Sequence, residues 1–238
     1  MLMLGIKLTL SGIFSFYRVP YNSLLMDTFL FPPKTSIIGM MGAAIGWNED
    51  VFLENLKKFR YGVIIEKAGE SFSEIAVIYK SKNSPIYPIT KNLVHKPVYN
   101  VFLTSEDDSL TENIGKALQN PKYVLTLGDS ENLFYPLNKN YIRILKIKEN
   151  MSATKLRCIL PSEIYNEYVV QMNVGEMFPN KNLLLPREIR IPIDFVEQGK
   201  NRRFIPKNVF YYAGIELQLK NPVKEGVYDF DGDPVYLF

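Results

Sequence analysis

Phe31-Pro-Pro-Lys-Thr-Ser-Ile-Ile-Gly-Met-Met-Gly-Ala-Ala-Ile-Gly-Trp47 holds a helix start and an unusual helix face in one short run. Pro33 suits a first helical turn, where its missing N–H removes no bond. Thr35 or Ser36 supplies a side-chain oxygen to cap the orphan amides. Gly39, Gly42 and Gly46 recur at i, i+3 and i+7, on one stripe of a helix predicted over residues 35–46. Glycine costs roughly 1 kcal/mol per site in a helix interior. The stripe therefore points either to close approach of a sheet or another backbone, or to tight core packing alone. It is not a phosphate loop: no G-x-x-x-x-G-K-S/T is present, and the GxxG sits in a helix rather than a loop.

Outward from this helix the chain alternates strand and helix signals. Residues 2–14 read as a buried strand, and 19–32 as a loop punctuated by Pro20 and Pro32. Asn48 is placed to cap a second helix over 49–58, with Glu49 and Asp50 in its first turn and Lys57 and Lys58 near its end. Residues 60–66 and 73–80 read as strands joined through Gly69. Residues 81–97 are polar and proline-containing, and read as a protruding hairpin or long loop. A strand over 98–104, an amphipathic helix over 109–119 and a strand over 122–127 follow. Without the insert and its flanking strand the order is βαββαβ, the ferredoxin-like or RRM-like unit. From about 139 the pattern changes: 141–148 and 154–160 read as a hairpin, 163–172 as a helix or extended segment, and 188–196, 208–219 and 234–238 as strands. The expected class is α+β. A first domain over 1–138 carries an insert at about 81–104, and a smaller β-rich part over 139–238 packs on it.

Composition sets the outer bounds. The 238 residues suffice for a large domain or for a domain plus a smaller one. A hydrophobic content of 47% is ordinary for a globular chain. The net charge of +3 is mild, so a nucleic-acid surface requires clustering of the basic residues. The single cysteine, Cys158, allows no internal disulfide. The apolar N-terminus is interrupted by Lys7 and lacks a small-residue cleavage site, so it reads as a strand and not a signal peptide. The longest apolar run, Ile37 to Trp47, falls far short of the roughly 20 residues that span a bilayer. The expected location is cytoplasmic. Tyrosine and phenylalanine number 15 each, enough to fill a core and leave rings free to stack on unpaired bases.

Phe14-Ser-Phe-Tyr-Arg18, the loop after it and Phe31-Pro-Pro-x-Thr-Ser-Ile-Ile-Gly-Met-Met-Gly-Ala-Ala-Ile-Gly46 together resemble the opening of CRISPR-associated proteins of the fifth Cas family, within the RAMP superfamily. Asn120-Pro-Lys-Tyr-Val-Leu-Thr-Leu-Gly-Asp-Ser130 more weakly resembles the segment where those proteins place the fourth strand of their first domain. The resemblance implies a ferredoxin-like domain with a long projecting thumb hairpin. It also implies a subunit of a type I Cascade complex that binds CRISPR RNA (crRNA) at its 5′ handle. Such a subunit contacts a backbone RAMP subunit and the large subunit, and meets target DNA only indirectly through guide pairing.

That resemblance directs attention to particular residues. Tyr17, Arg18, Tyr21 and Asn22 combine aromatic, guanidinium and amide groups just before the glycine helix. An arginine forks onto a phosphate and a tyrosine stacks on a base; ordinary surface positions are the alternative. Lys34, Thr35 and Ser36 open a helix whose amides favour a phosphate, with simple capping the alternative. In the insert, Pro85, Ile86 and Tyr87 would form an apolar wedge, and Lys82, Lys91, His95 and Lys96 would reach phosphates. A solvated basic loop is the alternative. Arg202 and Arg203, in Lys200-Asn-Arg-Arg203, are a further phosphate candidate or a solvated hairpin tip.

Other motifs dissolve on inspection. His95 is the only histidine and no CxxC pair exists, so no zinc site is expected. Asp229-Phe-Asp-Gly-Asp233 has its glycine at the wrong position for an EF-hand and reads as a turn. Gly128-Asp-Ser-Glu-Asn132 lacks the second glycine of a nucleophile elbow, and Arg60-Tyr-Gly-Val63 reads as core. No metal or other cofactor is expected. One branch of the family cuts precursor crRNA without metal, through a Tyr/His/Lys arrangement acting on a ribose 2′-hydroxyl. The matching candidates here are His95, Lys96 and Tyr21, with histidine suited to proton transfer. Adjacent strand residues point to opposite faces, however, and the leading expectation is binding without cleavage. A structural module with no RNA contact is a third reading.

Overall fold

The computed structural model describes residues 2–21, 25–79, 86–138, 140–170, 183–198 and 201–238. The chain opens with β1 (Leu2–Ser11), followed by the short strands β2 (Phe14–Ser15), β3 (Tyr17–Arg18) and β4 (Thr28–Phe29). Helices α1 (Lys34–Ile45) and α2 (Glu49–Leu56) come next, then β5 (Phe59–Lys67), β6 (Glu70–Tyr79), β7 (Ile86–His95) and β8 (Val98–Ser105). After α3 (Asp108–Gln119) come β9 (Ile142–Glu149), β10 (Ala153–Leu156), β11 (Leu160–Pro161) and α4 (Ser162–Tyr168). The chain closes with β12 (Leu184–Gln198), β13 (Asn201–Ala213), β14 (Leu217–Val223), β15 (Val227–Phe230) and β16 (Asp233–Tyr236). The fold is mixed α+β.

The main sheet runs β11-β13-β5-β8-β1-β9-β15-β16, with β12 paired to β13. β1 lies antiparallel between β8 and β9, with Leu8 opposite Val101 on one side and Ile142 on the other. Strand alternation divides the apolar side chains between two cores. Ile6, Leu8, Tyr61, Val63, Tyr99, Val101 and Leu103 join α1 and α3 in the first. Ile64, Phe102 and Ile147 point the other way and meet Cys158, Tyr212, Tyr228 and Phe230 in the second. This is why β5 and β8 read as near-continuous apolar runs: they are buried on both faces.

The helix ends are set locally, and the expected cap at Asn48 holds. Asn48 accepts a hydrogen bond from the Val51 amide at 3.0 Å and caps α2. Asp107 caps α3 by accepting from Leu110 N–H at 3.0 Å. Gly46 ends α1 in the left-handed region at φ 85°, its N–H on the Gly42 carbonyl at 2.7 Å.

Others need correction. Pro33, not Thr35 or Ser36, is the N-cap of α1, and no side chain caps it; the Ser36 and Ile37 amides donate to the Pro33 carbonyl instead. Of the two readings of 81–97, hairpin or long loop, the hairpin is realised but begins earlier: β7 pairs with β6 from Glu70↔His95 to Tyr79↔Ile86. The hairpin therefore spans 70–95, and 98–105 belongs to the main sheet because Tyr99, Val101, Phe102 and Leu103 are wholly buried there. The expected strand over 122–127 is irregular chain with a single bridge, Thr126↔Leu133. Leu125 and Leu127 still bury in the first core, so the apolar signal marked burial and not a ladder. β9 takes the place beside β1 instead. It does not form a hairpin with the next strand: β10 pairs with β14. The helical signal over 163–172 is realised as α4, and residues 171–182 lie outside the described ones.

Candidate nucleic-acid interface

The candidate residues around the start of α1 come from the β3–β4 ladder, the helix itself and β12. β3 pairs with β4, with Arg18 opposite Thr28, and this short ladder alternates its side chains. Arg18 is exposed. Tyr17 is wholly buried, edge-on to Tyr99 with ring centres 6.3 Å apart. Burial drives the Tyr17 hydroxyl well above the ordinary tyrosine range, with Tyr99 and Tyr61 adding to it. Tyr17 is a core residue and offers no face to a base. Tyr21 is 53% exposed at the tip of the β3–β4 connection. Partial burial raises its hydroxyl pKa, opposed by the charge of nearby Arg190. Asn22 lies outside the described residues.

Lys34 and Thr35 open α1 and are both buried, with Ser36 half-buried. Burial lowers the Lys34 pKa, opposed by Asp194. Beside them stands β12, which packs against α1. Arg187 and Arg190 are exposed on this strand. Arg187 hydrogen-bonds the Tyr211 hydroxyl, whose pKa burial raises and Arg187 lowers. Tyr211 in turn packs on Phe31, ring centres 5.6 Å apart. The fold thus brings Tyr21 beside Arg190, and sets Arg187 through Tyr211 and Phe31 near the start of α1, from distant parts of the chain. The two β12 arginines escaped the sequence reading because Arg187-Glu188-Ile-Arg190 mixes both signs, with no run of like charge to single them out.

The glycine stripe divides into separate roles. A Cβ on Gly46 would strike Lys122 Cδ at 2.4 Å, one on Gly42 would just touch Trp47 at 3.4 Å, and one on Gly39 would meet nothing within 4 Å. Of the three, only Gly46 favours glycine, and it does so by its left-handed backbone, since the end of the flexible Lys122 side chain can move aside.

The hairpin candidates are scattered. Lys91 is buried, not phosphate-facing. Its ammonium lies 2.6 Å from Glu131, 3.0 Å from Asp129, 3.6 Å from Glu74 and 4.9 Å from the centre of the Phe16 ring. Its charge is consumed internally, which removes it from the set of free cations. Ile86 and Tyr87 are exposed near the outer end of the hairpin, while Lys82 and Pro85 lie outside the described residues. His95 is half-buried, its Nδ1 3.4 Å from Glu70 and its ring 5.2 Å from Phe14. Neither Tyr21 nor Lys96 is in hydrogen-bond or ring contact with it among the described residues. Lys96 is exposed in the left-handed region at φ 51°, and its N–H donates to the Ile13 carbonyl at 2.8 Å. Arg203 is exposed near the β12–β13 turn; the side chain of Arg202 lies outside the described set. No group of acidic, histidine or cysteine side chains among the described residues is placed to hold a metal ion.

The family model for the CRISPR-associated protein (Cas_Cas5) matches residues 5–180, most of the chain. The chain belongs to the Cas5 family. No curated protein matches it in sequence. Among solved structures, a chain of a CRISPR RNA-guided surveillance complex superposes with TM-score 0.58 at 15% identity, covering 92% of this chain and 91% of that one. A CRISPR protein from Archaeoglobus fulgidus does so with TM-score 0.58 at 13% identity, covering 98% of each chain. At these identities the likeness is one of fold. In this Cas5 chain the match takes in α1, the β6–β7 hairpin and nearly all of β1, while β12 to β16, with Arg187 and Arg190, lie beyond it. No helix among the described residues is long and apolar enough to cross a membrane.

Proposed function

We propose that this Cas5 protein is a non-catalytic crRNA-binding subunit of a type I Cascade complex, in which it caps the 5′ handle and contacts the backbone and large subunits. The observation that carries this is the placing of Tyr21 beside Arg190, with Arg187 and Arg190 both exposed on the strand β12 that packs against α1. Arginine forks grip phosphates, and an exposed tyrosine stacks an unpaired base. The strand order β5-β8-β1-β9, with α1 and α3 on one face, supports reading the first part as ferredoxin-like. The β6–β7 hairpin, with exposed Ile75, Val77, Ile86 and Tyr87, supports reading it as the thumb.

The test incubates purified protein with labelled CRISPR repeat RNA in EDTA, on native and denaturing gels. A shift without a cut is expected. Arg187→Glu with Arg190→Glu should weaken binding by at least about tenfold and flatten the dependence on salt, since each lost phosphate contact lowers that slope by about one. A single cut, lost in His95→Ala, would overturn the reading in favour of a metal-independent processing endoribonuclease. An unaltered affinity in the double variant would move the RNA elsewhere on the surface.

A further inference from the structure

A separate groove of about 830 Å³ lies between the β1–β2 corner, the β7–β8 turn and the loop over 131–137. Its walls carry Ile13, Leu133, Tyr135 and Leu137, all more than half exposed, a concentration of large apolar side chains unusual on a monomer surface. The walls are preformed. Tyr135 N–H donates to the Ser11 carbonyl at 3.2 Å, and the Ser11 hydroxyl returns a bond to the Tyr135 carbonyl at 2.8 Å. Glu131 is clamped to Lys91 at 2.6 Å, and the Lys96 backbone is tied to Ile13.

Charge decides what fits there. Glu131 shares the one Lys91 charge with Asp129 and Glu74, so it counts against the two lysines of the groove. Lys67 and Lys96 also line the groove, and neither has an ion-pair partner among the described residues. The mouth is therefore net positive over an apolar floor. A nucleic acid would want stacked aromatic platforms and a track of cations; this lining is mainly aliphatic, with Pro97 and Val98 adding to it, and offers only two free charges. We propose that the groove docks a segment of a protein partner, apolar at its centre and bearing carboxylates at its flanks. This inference stands apart from the RNA reading and survives its failure.

The experiment pans a displayed library of random peptides on the purified protein, then measures synthesised winners by fluorescence polarisation. Expected winners carry clustered Leu, Ile, Phe or Trp flanked by Asp or Glu. Tyr135→Ala or Leu137→Ser should weaken them by about tenfold, as for a central anchor. Lys96→Glu should weaken them further as salt is lowered. The substituted side chains are exposed, and thermal melts matching the parent confirm intact folding. Winners that are basic or uncharged, or that bind all variants equally, overturn the proposal. So does a concentration-dependent dimer abolished by Leu137→Ser, which would make a second copy the occupant. Photo-crosslinking of oligouridylate to Tyr135 overturns it too, by giving the groove to nucleic acid.

Discussion

Replacing Lys91 with methionine keeps the aliphatic stem and removes only the charge. In the folded protein that charge serves Glu131 at 2.6 Å and Asp129 at 3.0 Å, with Phe16 beneath it. Hydrogen bonds to charged groups contribute about 1.5–3 kcal/mol each. Dehydrating the ammonium offsets part of this, and Glu131, 74% exposed, returns to water at little cost. The net loss for Lys91→Met is about 2–3 kcal/mol. For a chain of this size that lowers the melting temperature by about 5–10 °C. The pH dependence follows from the lysine pKa. Burial alone would lower it, but the bonds to Glu131 and Asp129 outweigh burial and raise it above 10.5. A raised folded pKa confers stability that is complete below the unfolded value and lost as pH climbs through the folded one. Urea titrations of parent and variant should therefore differ most near neutral pH and converge in strong alkali. A variant as stable as the parent, or a gap that widens with pH, would refute the clamp. So would an unchanged stability joined to a tenfold loss of repeat-RNA affinity, which would return Lys91 to the phosphate contacts.

Other outcomes follow from single sites. Gly128 holds φ 109°, and a Cβ there would sit 1.9 Å from the Phe16 carbonyl oxygen. Gly128→Ala should cost about 3 kcal/mol or more, read as a lowered urea midpoint. Lys34 is the opposite of Lys91: burial depresses its pKa, so the fold strengthens as pH rises through that value. Lys34→Met should raise stability at pH 7 by about 1 kcal/mol while weakening RNA binding in gel shifts. A variant that loses stability would show that Asp194 fully compensates the charge. Cys158 is wholly buried, its thiol pushed up to about 12 chiefly by burial. A chromogenic disulfide reagent at pH 8 should leave the native protein untouched and titrate one thiol in guanidinium; rapid reaction of the native form would contradict the packing of the second core.

Much of the fold was legible from local chemistry. The cap at Asn48, the turn at Gly69 and the apolar strand of β1 each act through neighbours within a few residues, so sequence alone exposes them. The misreadings share a cause. The apolar run Val124-Leu-Thr-Leu127 advertised burial, but burial is available to an irregular segment as well as to a strand when its backbone finds partners elsewhere, here in Phe16, Asn132 and Phe134. Likewise the polar stretch before His95 left hairpin and long loop both open, because a hairpin projecting from the core keeps its ladder without needing a buried face on both sides.

The sequence by itself determined the family, through the Phe31–Trp47 run and the Phe14–Arg18 motif. It also determined the existence of the main helices and the sheet strands around them, because capping, periodicity and glycine spacing are local properties. Tertiary structure decided which charges are free. Lys91, between Thr90 and Asn92, and Arg190, between two isoleucines, are each a basic residue on a strand, and neither segment says whether its charge is free. One is enclosed by carboxylates from β6 and the 129–131 loop, while the other stands exposed on β12 beside Tyr21. A charge acquires its role from groups that only the folded chain brings within a few ångströms, since electrostatic interaction depends on separation and burial and not on distance along the sequence.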